Sequence, residues 1–542
     1  MNQQSGTPSL NASHPAHPDR EALARAARVV GSATLLSRIL GYLRDVIIAG
    51  VFGTGLASDA FFLAYSIPNL LRRLFAEGSL GAAFVPVFSQ HMMRDGFRQS
   101  AGLANSALRV AALVLIAGCG LAIVFAPQLI HLFAYGWVDQ HDKLALCVKL
   151  TRLMLPYGVF ICLVAVCMGI LNVLGHFAAP ALAPVILNIA MIAAVFCGFL
   201  VTRSEVGLVQ WLAMGVCIGG ALQLLLQIPF LQGKGIALFS RWPIWHPGIK
   251  QVLKLFGPVL FGAAVYQINS QVIRLFASML PQGSVSYLYY ADRLVQFPLG
   301  IFGIAAATAV LPALSQQAAE QQWQAFGQTF NAAIRLVLFM TLPSMVGLIV
   351  LREPIVALLF QRGAFDMESM RLTAGAVLYY GVGLWAFSAV RIVLNTFYAL
   401  QESWTPVRIG CIAIAVNILL CSILMGPMRH NGLALALTLS SMVNLILLTV
   451  ALRKRLGPLG WRKMAASIWH SLACAVAMGA AVWWLARLLL ESPAQCSPLR
   501  LFAGVVICIV GGSLLYAGLA RVFQLPEMDL VLQLLIRKKY KR

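Results

Sequence analysis

What this 542-residue chain has little of is charge, and negative charge above all. Only 11% of its residues are charged, with 18 acidic side chains against 40 lysines and arginines. Soluble domains carry roughly 25% charged residues, so an ordinary water-soluble fold is excluded before any motif is considered. An apolar h-region followed by a small-residue cleavage site is missing from "MNQQSGTPSLNASHPAHPDREALARAA" (1–27). That stretch is expected to be a polar cytoplasmic tail rather than a secretory signal. The eleven cysteines include no C-x-x-C pair, and most lie in apolar runs, where core packing explains them without disulfides or metal. A Walker A loop, an HExxH helix, a Ser/His/Asp grouping and an Asp-rich metal motif are all lacking. The expectation is therefore a protein that is not an enzyme and carries no cofactor.

What is present is apolarity, at 60% of residues. Runs of about 20 apolar residues recur along the chain, each long enough to cross a hydrocarbon layer of about 30 Å. Segmenting at Gly, Pro and charge clusters gives fourteen spans between residues 28 and 522, so the fold class expected is an all-α polytopic membrane protein. An even count returns both termini to one side. If that side is the cytoplasm, the inner segments collect Arg20, Arg25, Arg28, Arg94, Arg98, Lys234, Arg241, Lys250, "RKRLGPLGWRKM" (453–464) and "RKKYKR" (537–542). This asymmetry obeys the positive-inside rule and absorbs most of the net charge of +22. Nucleic acid drops out as a partner, and the basic ends are suited to anionic membrane lipids.

Two stretches about 228 residues apart resemble each other: "GLASDAFFLAYSIPNLL" (55–71) leading into "FVPVFSQ" (84–90), and "GSVSYLYYADRLVQFPLG" (283–300) leading into "VLPALSQ" (310–316). Each has a Ser, then after two intervening residues an aromatic pair, a mid-span Pro and a Pro-x-x-Ser-Gln exit. The organisation expected is a tail (1–27), an N-lobe of six helices (28–230), a cytoplasmic linker (231–250), a C-lobe of six helices (251–452), two further helices (453–522) and a basic tail (523–542). An even number of spans separates the halves, which makes the repeat parallel, and a substrate site is expected between the lobes near Pro68 and Pro298.

The sparse charges are concentrated inside spans. Span 1 carries Arg38, Arg44 and Asp45; span 2 carries Asp59, Arg72, Arg73 and Glu77; span 8 carries Asp292 and Arg293. An arginine at the bilayer centre costs about 2.5–3.5 kcal/mol, so lipid-facing positions are excluded for most of them. Asp45, Arg73 and Glu77 are candidates for structural pairing, Arg73 with Glu77 at i, i+4 and Arg38 with Asp45 seven residues apart on one stripe. For Arg44, Arg73 and Arg274 a pairing or snorkelling role stands beside a functional one. Arg38, Arg72 and Arg293 lie in both lobes and outnumber nearby carboxylates, which suits a polyanion such as a diphosphate. Tyr289, Gln296, Gln267, Asn269, Gln271 and Ser37 add polar groups, each of which also serves as ordinary interhelical glue.

At 35–90 and 283–305 the sequence closely resembles the MurJ (MviN) family of bacterial lipid II flippases, the likeness running from about residue 28 to the C-terminus. The resemblance implies the multidrug/oligosaccharidyl-lipid/polysaccharide exporter fold, with helices 13 and 14 forming a lipid-facing groove. It implies as cargo lipid II, undecaprenyl-diphosphate-linked GlcNAc–MurNAc-pentapeptide, and as setting the bacterial inner membrane, with both termini cytoplasmic and contacts to cell-wall synthesis or division machinery. The family's cavity arginines match Arg38, Arg44, Arg72 and Arg293, taken here as the diphosphate site; Ser37, Asp59, Ser286 and Gln296 are taken as polar or gating residues. Two departures stand out: Gln296 replaces a common Glu, and Ser66 replaces a basic residue. Coupling to the membrane potential or a monovalent cation is open, because spans 11 and 12 offer no acidic residue. Rival readings are a flippase for another polyprenyl-diphosphate saccharide, a cation-coupled multidrug antiporter, and a structural or recruiting membrane protein.

Overall fold

Hydrocarbon offers no water to backbone N–H and C=O groups, so a spanning chain must satisfy them internally. In a computed structural model describing residues 20–236, 244–457, 461–490 and 497–537, all regular structure is helical. Of the expected tails at 1–27 and 523–542, residues 1–19 and 538–542 lie outside the described residues, as do 237–243 of the linker; the described parts of the tails are largely helical, in Arg20–Phe52 and Pro526–Arg537. The first lobe comprises α1 (Arg20–Phe52), α2 (Leu56–Leu71), a π-helical segment (Arg72–Ser79), α3 (Leu80–Val124), α4 (Ala126–Phe133), a 3₁₀ turn (Tyr135–Trp137), α5 (His141–Val173), α6 (Ala178–Val201) and α7 (Glu205–Gly233). The second comprises α8 (Gly248–Ser278), α9 (Ser284–Pro298), a π-helical segment (Leu299–Ile304), α10 (Ala305–Ala319), α11 (Trp323–Val350), α12 (Arg352–Phe360), α13 (Met367–Val382), α14 (Leu384–Ala399), α15 (Trp404–Met428) and α16 (His430–Leu456). There follow α17 (Trp461–Leu489), α18 (Pro498–Val522) and α19 (Pro526–Arg537).

Among the described residues, ten helices are by themselves long and apolar enough to cross a membrane, or eleven if the bent pair α13 and α14 is one span. With α1, α2 and α8 these make the fourteen expected. α1 falls short because Arg38, Arg44 and Asp45 interrupt its apolar run, and α2 because it has only 16 residues before the π segment. α1, α2, α3, α5, α6 and α7 pack mainly on one another, as do α10, α11 and α13–α16; α17 lies on α11 and α18 on α17.

The internal repeat is visible at the lobe interface, where equivalent residues meet. Ser286 Oγ lies 3.1 Å from Ser58 Oγ, and the rings of Phe62 and Tyr290 meet edge to face at 5.3 Å. Both pairs are 228 residues apart, as contacts at a two-fold axis require. Each half also breaks its ladder in the same way. Pro68 and Pro298 supply no N–H, and a π segment follows each.

The end of the bundle reached by the C-terminus of α1, called the far end below, is sealed backbone to backbone. Ala364 N–H donates to Gly50 O at 2.8 Å, and Thr54 Oγ1 lies 2.7 Å from Ser369 Oγ. Gly53 (φ +55°) and Gly363 (φ +56°) allow this approach. A Cβ on Gly53 would come 2.3 Å from Ala364 O, and one on Gly363 2.2 Å from Gly50 O. The loop is shaped in turn by Asp366, whose carboxylate accepts the Ser369 N–H at 2.8 Å, a bond that holds its pKa below the ordinary value.

Gly363→Ala is accordingly expected to open the far end. In a cysteine-free background, labelling of Thr54→Cys by a membrane-impermeant maleimide should rise several-fold. Unchanged labelling would contradict the seal.

Candidate functional site

Arg44 and Asp45 are sequence neighbours whose side chains leave α1 about 100° apart, and the long guanidinium folds back to meet the carboxylate. Arg44 Nη2 and Nε donate to Asp45 Oδ1 at 2.7 and 3.0 Å, with both residues buried. The other carboxylate oxygen faces the opposite lobe, where Arg293 Nε of α9 lies 3.2 Å from Oδ2. Tyr289, one turn before Arg293, accepts from Arg293 Nη2 at 2.9 Å and donates its hydroxyl to Asp45 Oδ1 at 3.3 Å. Its ring stacks on Phe62 of α2 at 3.7 Å. From α6, Asn188 accepts from Arg44 Nη1 at 3.0 Å and donates to the Ser37 carbonyl at 3.0 Å. One carboxylate thus serves two guanidiniums from two lobes and leaves a net positive charge where water is scarce, an arrangement that favours a second anion.

The remaining arginines surround this cluster in different states. Arg38 is exposed, and its Nη2 lies 3.3 Å from where a Cβ on Gly300 would sit, so it occupies space that the glycine leaves in the C-lobe π segment. It does not pair with Asp45, which Arg44 and Arg293 occupy; contacts across the lobes win over the seven-residue stripe. Arg72 Nε donates to Asn69 Oδ1 at 2.8 Å, a partner three residues back rather than four ahead. Arg73 Nη1 donates to Gln267 Oε1 of α8 at 3.5 Å, and the Glu77 side chain lies outside the described residues. Gln296 Nε2 donates to Asp292 Oδ1 at 3.3 Å, so it answers a carboxylate instead of supplying one. Gln271 accepts from Ser66 Oγ at 3.3 Å, and Asn269 accepts from Asn417 Nδ2 of α15 at 2.8 Å.

Asp59 lies in a second cluster at the far end. Gly283 (φ 92°) precedes α9 at the N-cap position and has no side chain to cap it, and Asp59 of the other lobe fills that role. Its carboxylate accepts Gly283 N–H (2.8 Å), Ser286 N–H (3.0 Å) and Ser286 Oγ–H (2.7 Å), and it pairs with Lys143 Nζ at 2.8 Å. The ammonium also lies 4.2 Å from the centre of the Trp137 ring. The carboxylate thus meets the N-terminus of α9, three hydrogen-bond donors and an ammonium at one point. Sequence reasoning found Asp59 and Ser286 but missed Lys143 and Asn188. Their partners are 84 and 144 residues away, and no local pattern marks such pairs.

With this geometry in hand, comparison with known proteins is informative. The family profile described as "Lipid II flippase MurJ" matches residues 48–499. "Probable lipid II flippase MurJ" of Vibrio cholerae is 37% identical over 444 residues, covering 79% of this chain and 82% of that one. "Lipid II flippase MurJ" of Burkholderia cenocepacia is 34% identical over 505 residues, covering 92% and 96%. A solved structure, "Lipid II flippase MurJ, inward closed conformation", is similar with a TM-score of 0.76 and 27% identity over 93% of this chain and 99% of that one. An inward-facing multidrug resistance MATE family transporter has a TM-score of 0.67 at 16% identity, covering 80% of this chain and 99% of that one, a likeness of fold alone.

The far-end cluster has a testable energetic signature. Asp59→Asn strands a buried lysine, a change costing about 3–5 kcal/mol, and should lower the thermal unfolding midpoint by several degrees. Adding Lys143→Met should recover much of the loss. Equal midpoints for wild type and Asp59→Asn would remove the ion pair from the account.

Proposed function

Because the chain belongs to the lipid II flippase MurJ family, we propose that it moves lipid II from the inner to the outer leaflet of the bacterial inner membrane by alternating access, leaving the cargo chemically unchanged. The observation that carries this reading is the Arg44–Asp45–Arg293 bridge between the lobes. A diphosphate entering there offers oxygens that compete with Asp45 for both guanidiniums and binds them bidentately. Arg38 and Arg72 contribute further positive charge; Ser37 lies on α1 with Arg44, and Gln296 on α9 with Arg293. The cargo's differential contacts with the two lobe arrangements are what drive a population shift. Breaking Asp59 away from the N-terminus of α9, together with the Gly53–Gly363 contact, is then the opening step at the far end.

Support for the path of the polyprenyl tail comes from α17 and α18, which expose Trp483, Trp484, Leu488, Val506, Val510 and Leu514. The asymmetry of lysine and arginine supports cytoplasmic termini, and a cell-wall precursor as cargo makes the synthesis or division machinery the natural partner. A cation-coupled drug antiporter is disfavoured, because the interlobe charges are mainly arginines.

The test is complementation of cells depleted of their own lipid II flippase, reading the access of lipid II to an externally added enzyme that cleaves it. Wild type should restore cleavage; Arg72→Ala and Arg293→Ala should reduce it at least tenfold at equal protein abundance. Full restoration by both variants would sink the arginine site, and no restoration by wild type would sink the cargo.

A further inference from the structure

One arginine takes no part in the arrangement above. Along α8, Gln267, Gln271, Arg274 and Ser278 recur at helical spacing and form one stripe. Three of the four bond to the N-lobe. Gln267 accepts from Arg73, Gln271 accepts from Ser66, and Ser278 Oγ accepts the Gly136 N–H at 3.2 Å. The stripe therefore faces the other lobe along its length. Arg274 sits between Gln271 and Ser278, so it points into the same interlobe space.

Among the described residues its guanidinium has no hydrogen bond or ion pair. Its nitrogens are not among the buried unsatisfied atoms, so they remain open to accessible space while the residue as a whole is half-buried. The charged groups whose fields reach it are Arg73 from the N-lobe and Asp292 from α9, with Tyr380 and Tyr289 nearby. Arg274 lies one helical turn before the end of α8, facing another arginine and with no hydrogen bond or ion pair among the described residues, so its charge is left for a ligand to meet.

We propose that Arg274, with Arg73 approaching from α2's π segment, forms a second oxyanion subsite between the lobes, apart from the Asp45-anchored pair. This rests on the proposed function and refines it. The subsite takes an oxyanion of the cargo, either an oxygen of the diphosphate or a carboxylate of the peptide-bearing headgroup. Both present planar or near-planar oxygen pairs that match a guanidinium fork. Arg274 is then a residue that sets which polyprenyl-linked anion is held.

The experiment measures binding of two probes, undecaprenyl diphosphate and complete lipid II, to wild type, Arg274→Gln, Arg274→Lys and Arg293→Gln in lipid nanodiscs, with unfolding midpoints recorded alongside. Arg274→Gln should weaken binding about tenfold or more, the value of one charge-assisted contact, with Arg274→Lys in between. Equal loss for both probes assigns the subsite to the diphosphate; loss for lipid II alone assigns it to the headgroup. The midpoint of Arg274→Gln should equal or exceed that of wild type, because an unpaired cation has been removed. Unchanged affinity in Arg274→Gln while Arg293→Gln weakens both probes would overturn the subsite and leave the proposed function standing. Weakened binding with a midpoint lowered by many degrees would make Arg274 structural and also overturn it. Failure of wild type to bind either probe would overturn both readings.

Discussion

The arrangement of the interlobe region depends on one buried carboxylate shared by two guanidiniums from opposite lobes. Asp45 gives one oxygen to Arg44 and the other to Arg293. The sharing holds α1 and α9 together yet leaves the pair of cations under-neutralised. The two arginines are not held equally. Arg44 is buried and also fixed by Asn188, whereas the Arg293 side chain is 36% exposed and leans on Tyr289. An arriving anion therefore meets one preorganised donor and one able to change partners. Because the partner it would leave sits on the other lobe, exchanging Asp45 for a cargo oxygen alters the tie between lobes as part of binding.

The far end follows the opposite logic. Asp59 accepts three hydrogen bonds and faces Lys143, so its charge is met in full and nothing there calls for a ligand. Backbone contacts at Gly53 and Gly363 add closure that depends on shape. One lobe interface thus contains a saturated cluster that seals and an unsaturated one that responds. A bound anion can change the balance between lobe arrangements only through groups it contacts differently in them, and the cations left under-neutralised for it to contact are at Asp45 rather than at Asp59.

Much of the fold was legible in the sequence because its causes are local. Apolar runs of spanning length, the 228-residue repeat and the two mid-span prolines each follow from residues read in order. That repeat partners meet one another, Ser58 with Ser286 and Phe62 with Tyr290, was not legible, since a repeat specifies equivalence and not contact. The arginines could be picked out because charge is rare in these helices, but their partners could not. The expected pairing of Arg38 with Asp45 came from spacing within one helix. The structure instead gives Asp45 to Arg44 and Arg293; Arg73 reaches Gln267 and Arg72 reaches Asn69. Long side chains in a low dielectric reach for whichever polar group relieves them most, and across an interface that group is hundreds of positions away in the chain.

The most direct test of the central claim is the affinity of Asp45→Asn for undecaprenyl diphosphate, compared with wild type in the same lipid. If Asp45 competes with cargo for Arg44 and Arg293, removing its charge should tighten binding about tenfold or more while translocation falls, because the tie between lobes is lost. Binding that is unchanged or weakened in Asp45→Asn would contradict the account.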